Sequence, residues 1–307
     1  MLLPTEDPRH VWRDMTQAQL DWAYDQTQHA SNMAEVMAQC AELSAQARAQ
    51  LQDRGIEVKR LAYGPTTIEA LDWYPSLAPN APLVFFVHGG AWRRGQAQDY
   101  AMAAAWLNEL GVHLVVPDFS AVTDVQGSLL TMVDQLQRAL TFTIRTAPNL
   151  GADAQQIYVV GHSSGAHLAA CLGAFDWHQH GIDPQPINAL MCCSGMYELE
   201  PVSLSARSQY VSFNPKTLQA LSPQRHLHRF NMPIALLCGE QESPEFKRQA
   251  LEFAKSLSVN NAQLELIWGQ GLNHFEMLQS FASPGGFMSQ VLIKLMQRSA
   301  TSDSGMH

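Results

Sequence analysis

Six short apolar runs, each breaking off into glycine or a polar residue, constrain this chain more than any other feature. They are "PLVFFVHGG" (82–90), "GVHLVVPDF" (111–119), "QIYVVGHSSG" (156–165), "INALMCCSG" (187–195), "MPIALLCGE" (232–240) and "AQLELIWG" (262–269). Near-continuous runs of this length are the pattern of strands buried on both faces. Between most of them lie stretches of helical composition, at about 98–110, 126–146, 164–175, 245–258 and 284–298. Strands and helices in alternation imply an α/β fold with a mostly parallel sheet flanked by helices. "IEVKRLAYG" (56–64) and "TTIEALDWYP" (66–75) alternate apolar and polar residues instead. They read as an antiparallel pair at the sheet edge, which brings the expected count to about eight strands.

The rest of the chain is arranged around that sheet. Residues 8–52 are rich in Ala, Gln, Met and Glu, with no Gly or Pro between Val11 and Gln52. This predicts an N-terminal helical segment (1–54) packing on or capping the core. The α/β domain then runs over 55–298. Residues 196–231 follow a strand yet carry several prolines and no clean period, so they are read as a lid-like excursion over the strand ends that helps wall the active site. The last stretch, 299–307, is expected to be flexible.

Bulk properties exclude some functions. A formal net charge of −9 argues against a nucleic-acid partner. No apolar run reaches the roughly 18 residues of a membrane span, and no basic-then-apolar leader opens the chain. Cys40, Cys171, Cys192, Cys193 and Cys238 are odd in number and lack paired spacing, which points to a reducing, cytoplasmic setting. A homodimer is compatible with all of this.

The chemistry concentrates at strand ends. Gly161-His162-Ser163-Ser164-Gly165 follows a buried run and precedes "AHLAACLGAF", a good helix. A bare Gly-x-Ser-x-Gly match arises by chance in roughly one chain in ten of this length, but the strand–turn–helix context removes most such matches. The physics is that of a nucleophile elbow, a strained turn that exposes the Ser163 hydroxyl. The N–H of Ser164 is expected to serve as an oxyanion donor, its side chain being incidental. His88-Gly89-Gly90-Ala91-Trp92 ends another buried strand. There Gly90 and Ala91 are the expected oxyanion donors and Gly89 shapes the turn, while His88 holds the loop.

A serine nucleophile needs a base, and the base an orienting acid. His162 and His167 flank the serine and should point elsewhere. His178, His180, His226 and His228 form spaced pairs without accompanying metal-ligand spacing. His274, in "LELIWGQGLNHFEML", follows a strand and a short glycine loop near the C-terminus, where the chain order Ser, acid, His requires the base. The acid should lie in "CGEQESPEF". Glu242 is preferred, with Glu240 next; Glu245 is read as opening a helix. Such a cycle calls for no metal or organic cofactor. Trp92, Tyr197 and Phe275 flank these motifs and are candidates for stacking on an aromatic leaving group.

"HGGAW" (88–92), "GHSSGAHLA" (161–169), "SGMYELEPV" (194–202), "GEQESPEFKRQ" (239–249) and "GLNHFEML" (271–278) together resemble the α/β-hydrolase superfamily. Within it they resemble the kynurenine formamidase (arylformamidase) branch and its esterase relatives. The resemblance covers about 55–298, with a fainter match at "LDWAYDQTQHASN" (20–32). It implies an α/β-hydrolase fold and hydrolysis of an N-formyl arylamine, as in N-formylkynurenine to kynurenine plus formate. The family usually carries Asp where this chain has Glu242, which favours Glu242 over Glu240 as the acid. Two other readings are a carboxylesterase of small acyl or aryl esters in aromatic catabolism and a non-catalytic hydrolase scaffold used for binding.

Overall fold

A computed structural model describes residues 9–303 other than 184. Its centre is an eight-stranded sheet. The strands are β1 (Lys59–Ala62), β2 (Ala70–Tyr74), β3 (Ala81–Val87), β4 (His113–Pro117), β5 (Ala152–His162), β6 (Ala189–Cys193), β7 (Ile234–Gly239) and β8 (Leu264–Gly269). Their spatial order is β1-β2-β4-β3-β5-β6-β7-β8. Strands β3 to β8 pair in parallel, and β1 and β2 pair antiparallel to each other. The expected edge pair is therefore present, and β2 joins it to the sheet by a second antiparallel pairing with β4.

The apolar runs are continuous because both faces of the sheet are covered. Along β3, Leu83, Phe85 and Val87 enter one core, while Val84 and Phe86 enter the other. The first core is closed by α1 (Gln17–Tyr24), α4 (Leu129–Thr146), α5 (Ser164–Gly173) and α8 (Pro244–Leu257). The second is closed by α2 (Met33–Asp53), α3 (Ala104–Glu109), α9 (His274–Gln279) and α10 (Phe287–Asp303). In α4 the buried Leu129, Met132, Val133, Leu136 and Leu140 recur at helical spacing and make the stripe that faces the sheet. Its start is set by Ser128, whose hydroxyl accepts the Thr131 N–H at 3.2 Å.

The N-terminal segment is more varied than its composition predicts. A small hairpin, His10–Trp12 with Met15–Thr16, precedes α1, because Thr16 breaks the helix by acting as its N-cap in a capping box with Gln19. The 196–231 stretch holds α6 (Glu200–Ser203), α7 (Pro215–Leu221) and several single 3₁₀ turns. Helix α10 runs through Asp303, into the stretch expected to be flexible from 299; residues 304–307 lie outside those described. All five cysteines are buried and unpaired. Among the described residues no helix is long and apolar enough to cross a membrane.

Candidate active site

Parallel strands leave their C-terminal ends along one edge of the sheet, where a crevice forms between the connecting loops. The turn after β5 is the tightest of them. Ser163 has φ 58° and ψ −127°, a conformation non-glycine residues avoid. Two glycines let the chain pass through it. A Cβ at Gly161 would collide with the Gly165 carbonyl, and one at Gly165 with the carbonyl oxygens of Val87 and His88. The turn is closed by the Ser163 N–H donating to the Cys193 carbonyl at 2.9 Å.

The structure brings Ser163, His274 and Glu242 together. His274 Nε2 lies 2.8 Å from Ser163 Oγ, and Nδ1 lies 2.8 Å from Glu242 Oε2. A carboxylate only accepts, so Nδ1 carries the proton and Nε2 is left to accept from the serine hydroxyl. His274 opens α9, whose N-cap Asn273 forms a capping box with Glu276. The other histidine of the elbow also takes part: His162 Nε2 donates to the His274 carbonyl at 2.8 Å. Burial drives the His162 pKa down to about 3, so its ring is neutral.

Glu242 is completely enclosed. Burial alone pushes its carboxyl up, but the facing His274, the Ser194 hydroxyl and the Gly239 N–H together hold it below the usual carboxylate range. Ser194 Oγ donates to Oε1 at 2.5 Å and Gly239 N at 2.7 Å. Ser194 was not singled out from the sequence as a site residue. It stands at the end of β6 with φ 60°, and the available signal was its position after "LMCC", where a strand stops. The competing acids are engaged elsewhere. Glu240 is exposed and accepts the Gly271 N–H at 3.1 Å. Glu245, in the first turn of α8, is paired with Arg248 at 2.6 and 2.7 Å and accepts from Tyr24.

The glycine loop after β3 lies directly on the elbow. A Cβ at Gly89 would sit 2.9 Å from the His162 carbonyl oxygen and 3.1 Å from Ser163 Cβ. Gly90, Ala91 and Trp92 all have positive φ, at 116°, 56° and 62°. The N–H groups of Gly90, Ala91 and Ser164 have no acceptor among the described residues. The Ser164 hydroxyl, by contrast, is not incidental: it accepts the Trp92 N–H at 3.2 Å. His88 holds the loop as expected, donating to the Gly89 carbonyl at 2.9 Å while stacked between Tyr100 and Phe119.

A cavity of about 830 Å³ opens at Ser163 and His274. Phe275 lines it, but two of the aromatic residues expected there do not. Trp92 is buried under the loop, its ring edge-on to His167, and Tyr197 is fully buried, stacked 4.3 Å from Phe253. Both were drawn from the motifs by proximity in sequence, whereas each side chain turns into the core beneath the sheet ends. Further walls come from the N-terminal segment and the 196–231 excursion. Trp22, Met33 and Met37 come from the N-terminal segment; Arg207 and Tyr210 come from the excursion. His167 donates to the Leu221 carbonyl and His226 meets the Gln219 carbonyl, both at 2.8 Å, so neither reaches the cavity.

The family model described as BD-FAE matches residues 71–257, from within β2 to the end of α8. The chain belongs to the BD-FAE family. Over nearly its whole length this BD-FAE chain is also similar to kynurenine formamidases. It is 25% identical to that of Danio rerio over 297 residues, covering 94% of this chain and 99% of the relative. For that of Salmo salar the figures are 26% over 298 residues, 94% and 99%. In three dimensions it is similar to esterase B of Lactobacillus rhamnosis, with a TM-score of 0.68, 16% identity and coverage of 90% and 98%. The BD-FAE chain is thus an α/β-hydrolase of the formamidase and esterase-like branch, and a hydrolase.

Proposed function

We propose that the protein hydrolyses a small acyl amide or ester through an acyl-enzyme on Ser163, with arylformamidase-like cleavage of an N-formyl arylamine as its reaction. One observation carries the reading: the unbroken line from Ser163 Oγ through His274 to Glu242, with both contacts at 2.8 Å. His274 Nε2 takes the serine proton as Oγ attacks the acyl carbon. The developing oxyanion is held by the N–H groups of Gly90, Ala91 and Ser164, whose donors are otherwise unused. Glu242, kept ionised, stabilises the imidazolium. His274 then protonates the departing amine nitrogen, giving free arylamine and an acylated Ser163. Water attacks that ester under the same base and releases formate, returning the proton to Ser163. The likeness to kynurenine formamidases over 94% of the chain favours a formyl amide.

A carboxylesterase is the second reading, and the cavity favours it. About 830 Å³ with Met33, Met37, Ala41 and Leu278 in its wall is far more apolar room than a formyl group fills. The two are separated by turnover on formanilide beside p-nitrophenyl acetate and butyrate. Formanilide cleavage at a comparable kcat/KM supports the formamidase reading. If formanilide is untouched while both esters turn over fast, the esterase reading takes its place. A fluorophosphonate that labels Ser163 disposes of the non-catalytic scaffold.

A further inference from the structure

The two serines of the elbow stand side by side, and the mechanism above uses only the backbone of the second. Its side chain is 1% exposed, and its oxygen accepts a hydrogen bond from across the site. The donor is the Trp92 N–H, on the far side of the three-residue stretch that supplies the other two oxyanion donors. That stretch is under conformational load. Gly90 is the only residue of the three suited to positive φ, yet Ala91 and Trp92 follow it there. A backbone in this state keeps its shape only if its surroundings over-determine it.

The restraints can be named. Arg93 N–H closes the turn onto the Gly90 carbonyl at 3.0 Å, and Val122 N–H holds the Trp92 carbonyl at 2.7 Å. The Trp92 ring is buried, with His167 edge-on at 5.3 Å and Arg207 over it at 5.5 Å. Each of these ties the loop to itself, to β4's following turn or to the helices beneath it. Among the described residues, the Trp92 N–H to Ser164 Oγ bond is the one hydrogen bond that ties it to the elbow.

We infer that the Ser164 hydroxyl is a positioning residue for the oxyanion hole, clamping the Gly90–Ala91 N–H groups at a fixed distance from Ser163. One residue then sets both walls of the hole, its own N–H on the elbow side and, through Trp92, the amides on the loop side. A shift of a fraction of an ångström between the walls would spoil donors that must meet an oxyanion present only in the transition state. The inference rests on Ser163 being the nucleophile.

Ser164→Ala removes the acceptor and keeps the backbone N–H. The measurements are kcat and KM for p-nitrophenyl acetate, and Ki for trifluoroacetophenone beside acetophenone. The first ketone adds Ser163 to give a tetrahedral oxyanion, and the second binds without adding. The clamp predicts a fall in kcat of about tenfold with KM little changed, smaller than loss of a whole donor. Trifluoroacetophenone should weaken by the same factor while acetophenone holds its Ki and thermal unfolding stays cooperative. Unchanged kcat, or equal weakening of both ketones, overturns the clamp. Ser163→Ala is run beside it. Activity surviving there overturns the nucleophile assignment itself, whereas a dead Ser163→Ala beside an unaltered Ser164→Ala overturns the clamp alone.

Discussion

The turn after β5 and the loop after β7 do comparable work by different means. The first presents Ser163 through backbone geometry: one strained residue, two glycines that no side chain can replace, and a single N–H to the Cys193 carbonyl. The second presents Glu242 through side-chain hydrogen bonds, with Ser194 reaching in from the neighbouring strand and the Gly239 N–H from below. Steric rules act between residues close in sequence, and so leave a local signature. Hydrogen bonds between side chains 48 residues apart leave none.

The sharpest way to test that difference is to remove each proposed catalytic group. Ser163→Ala should lower kcat by about 10⁴–10⁶, and Glu242→Gln by about 10³–10⁴, both read in steady state with the fold checked by circular dichroism. Glu240→Gln, by contrast, loses only an exposed carboxylate that caps the Gly271 N–H and should leave kcat near the wild-type value. Equal losses at 240 and 242 would break the assignment of the acid.

The supports come next. Gly165→Ala drives a methyl into the carbonyls of Val87 and His88, and overpacking of a rigid backbone contact costs about 3 kcal/mol. Denaturant unfolding should show it as a lower midpoint with the slope retained. Ser194→Ala leaves the backbone untouched, and its expected mark is about a tenfold fall in kcat with little change in KM, from a carboxylate left with one restraint fewer. If Ser194→Ala instead matched Gly165→Ala in lost stability with kcat intact, the second loop would be backbone-held after all.

The smallest effect is a difference in pH dependence. His162 is held neutral by burial, with a folded pKa of about 3, so the unfolded chain binds its proton first. The stability it contributes is full above about pH 6.5 and drains as pH falls toward 3. Glu242 is also depressed, but as an acid: its contribution is present above about pH 4.5 and is lost as pH drops through the lower folded value. His162→Gln should therefore flatten the fall in Tm between pH 6.5 and 4.5, and Glu242→Gln the fall below it.

What could be read from the sequence follows the same division. Six of the strands were legible as unbroken apolar runs, and the edge pair by its alternation of apolar and polar residues. Ser163 and His274 were legible because a turn or a strand end fixes them. Glu242 stood against two nearby glutamates; its place further out on the loop, where it can turn back toward His274, favoured it, and the family resemblance added support. Trp92 and Tyr197 were drawn into the pocket by adjacency to motifs, although a side chain's direction depends on packing that adjacency does not encode. The cavity wall was legible as two segments, the N-terminal helices and the 196–231 excursion, but not as individual residues, for the converse reason. Trp22, Met37 and Tyr210 sit in segments whose local patterns are ordinary and whose importance lies in where the chain folds them.

The N-terminal segment carries a consequence of its own. Gln26 donates to Ser243 at 3.0 Å, beside Glu242, and Asn32 donates to Glu276 at 2.8 Å and accepts from Asn273 at 2.9 Å, beside His274. A few side chains from the first thirty-odd residues thus brace the loops of Glu242 and His274, the proposed acid and base. The matched family stretch, 71–257, contains neither that brace nor His274. The proposed site is therefore not divisible along the line that likeness draws. A fragment or chimera cut at those borders would inherit Ser163 and Glu242 while losing His274, the proposed base, and the side chains that brace its loop.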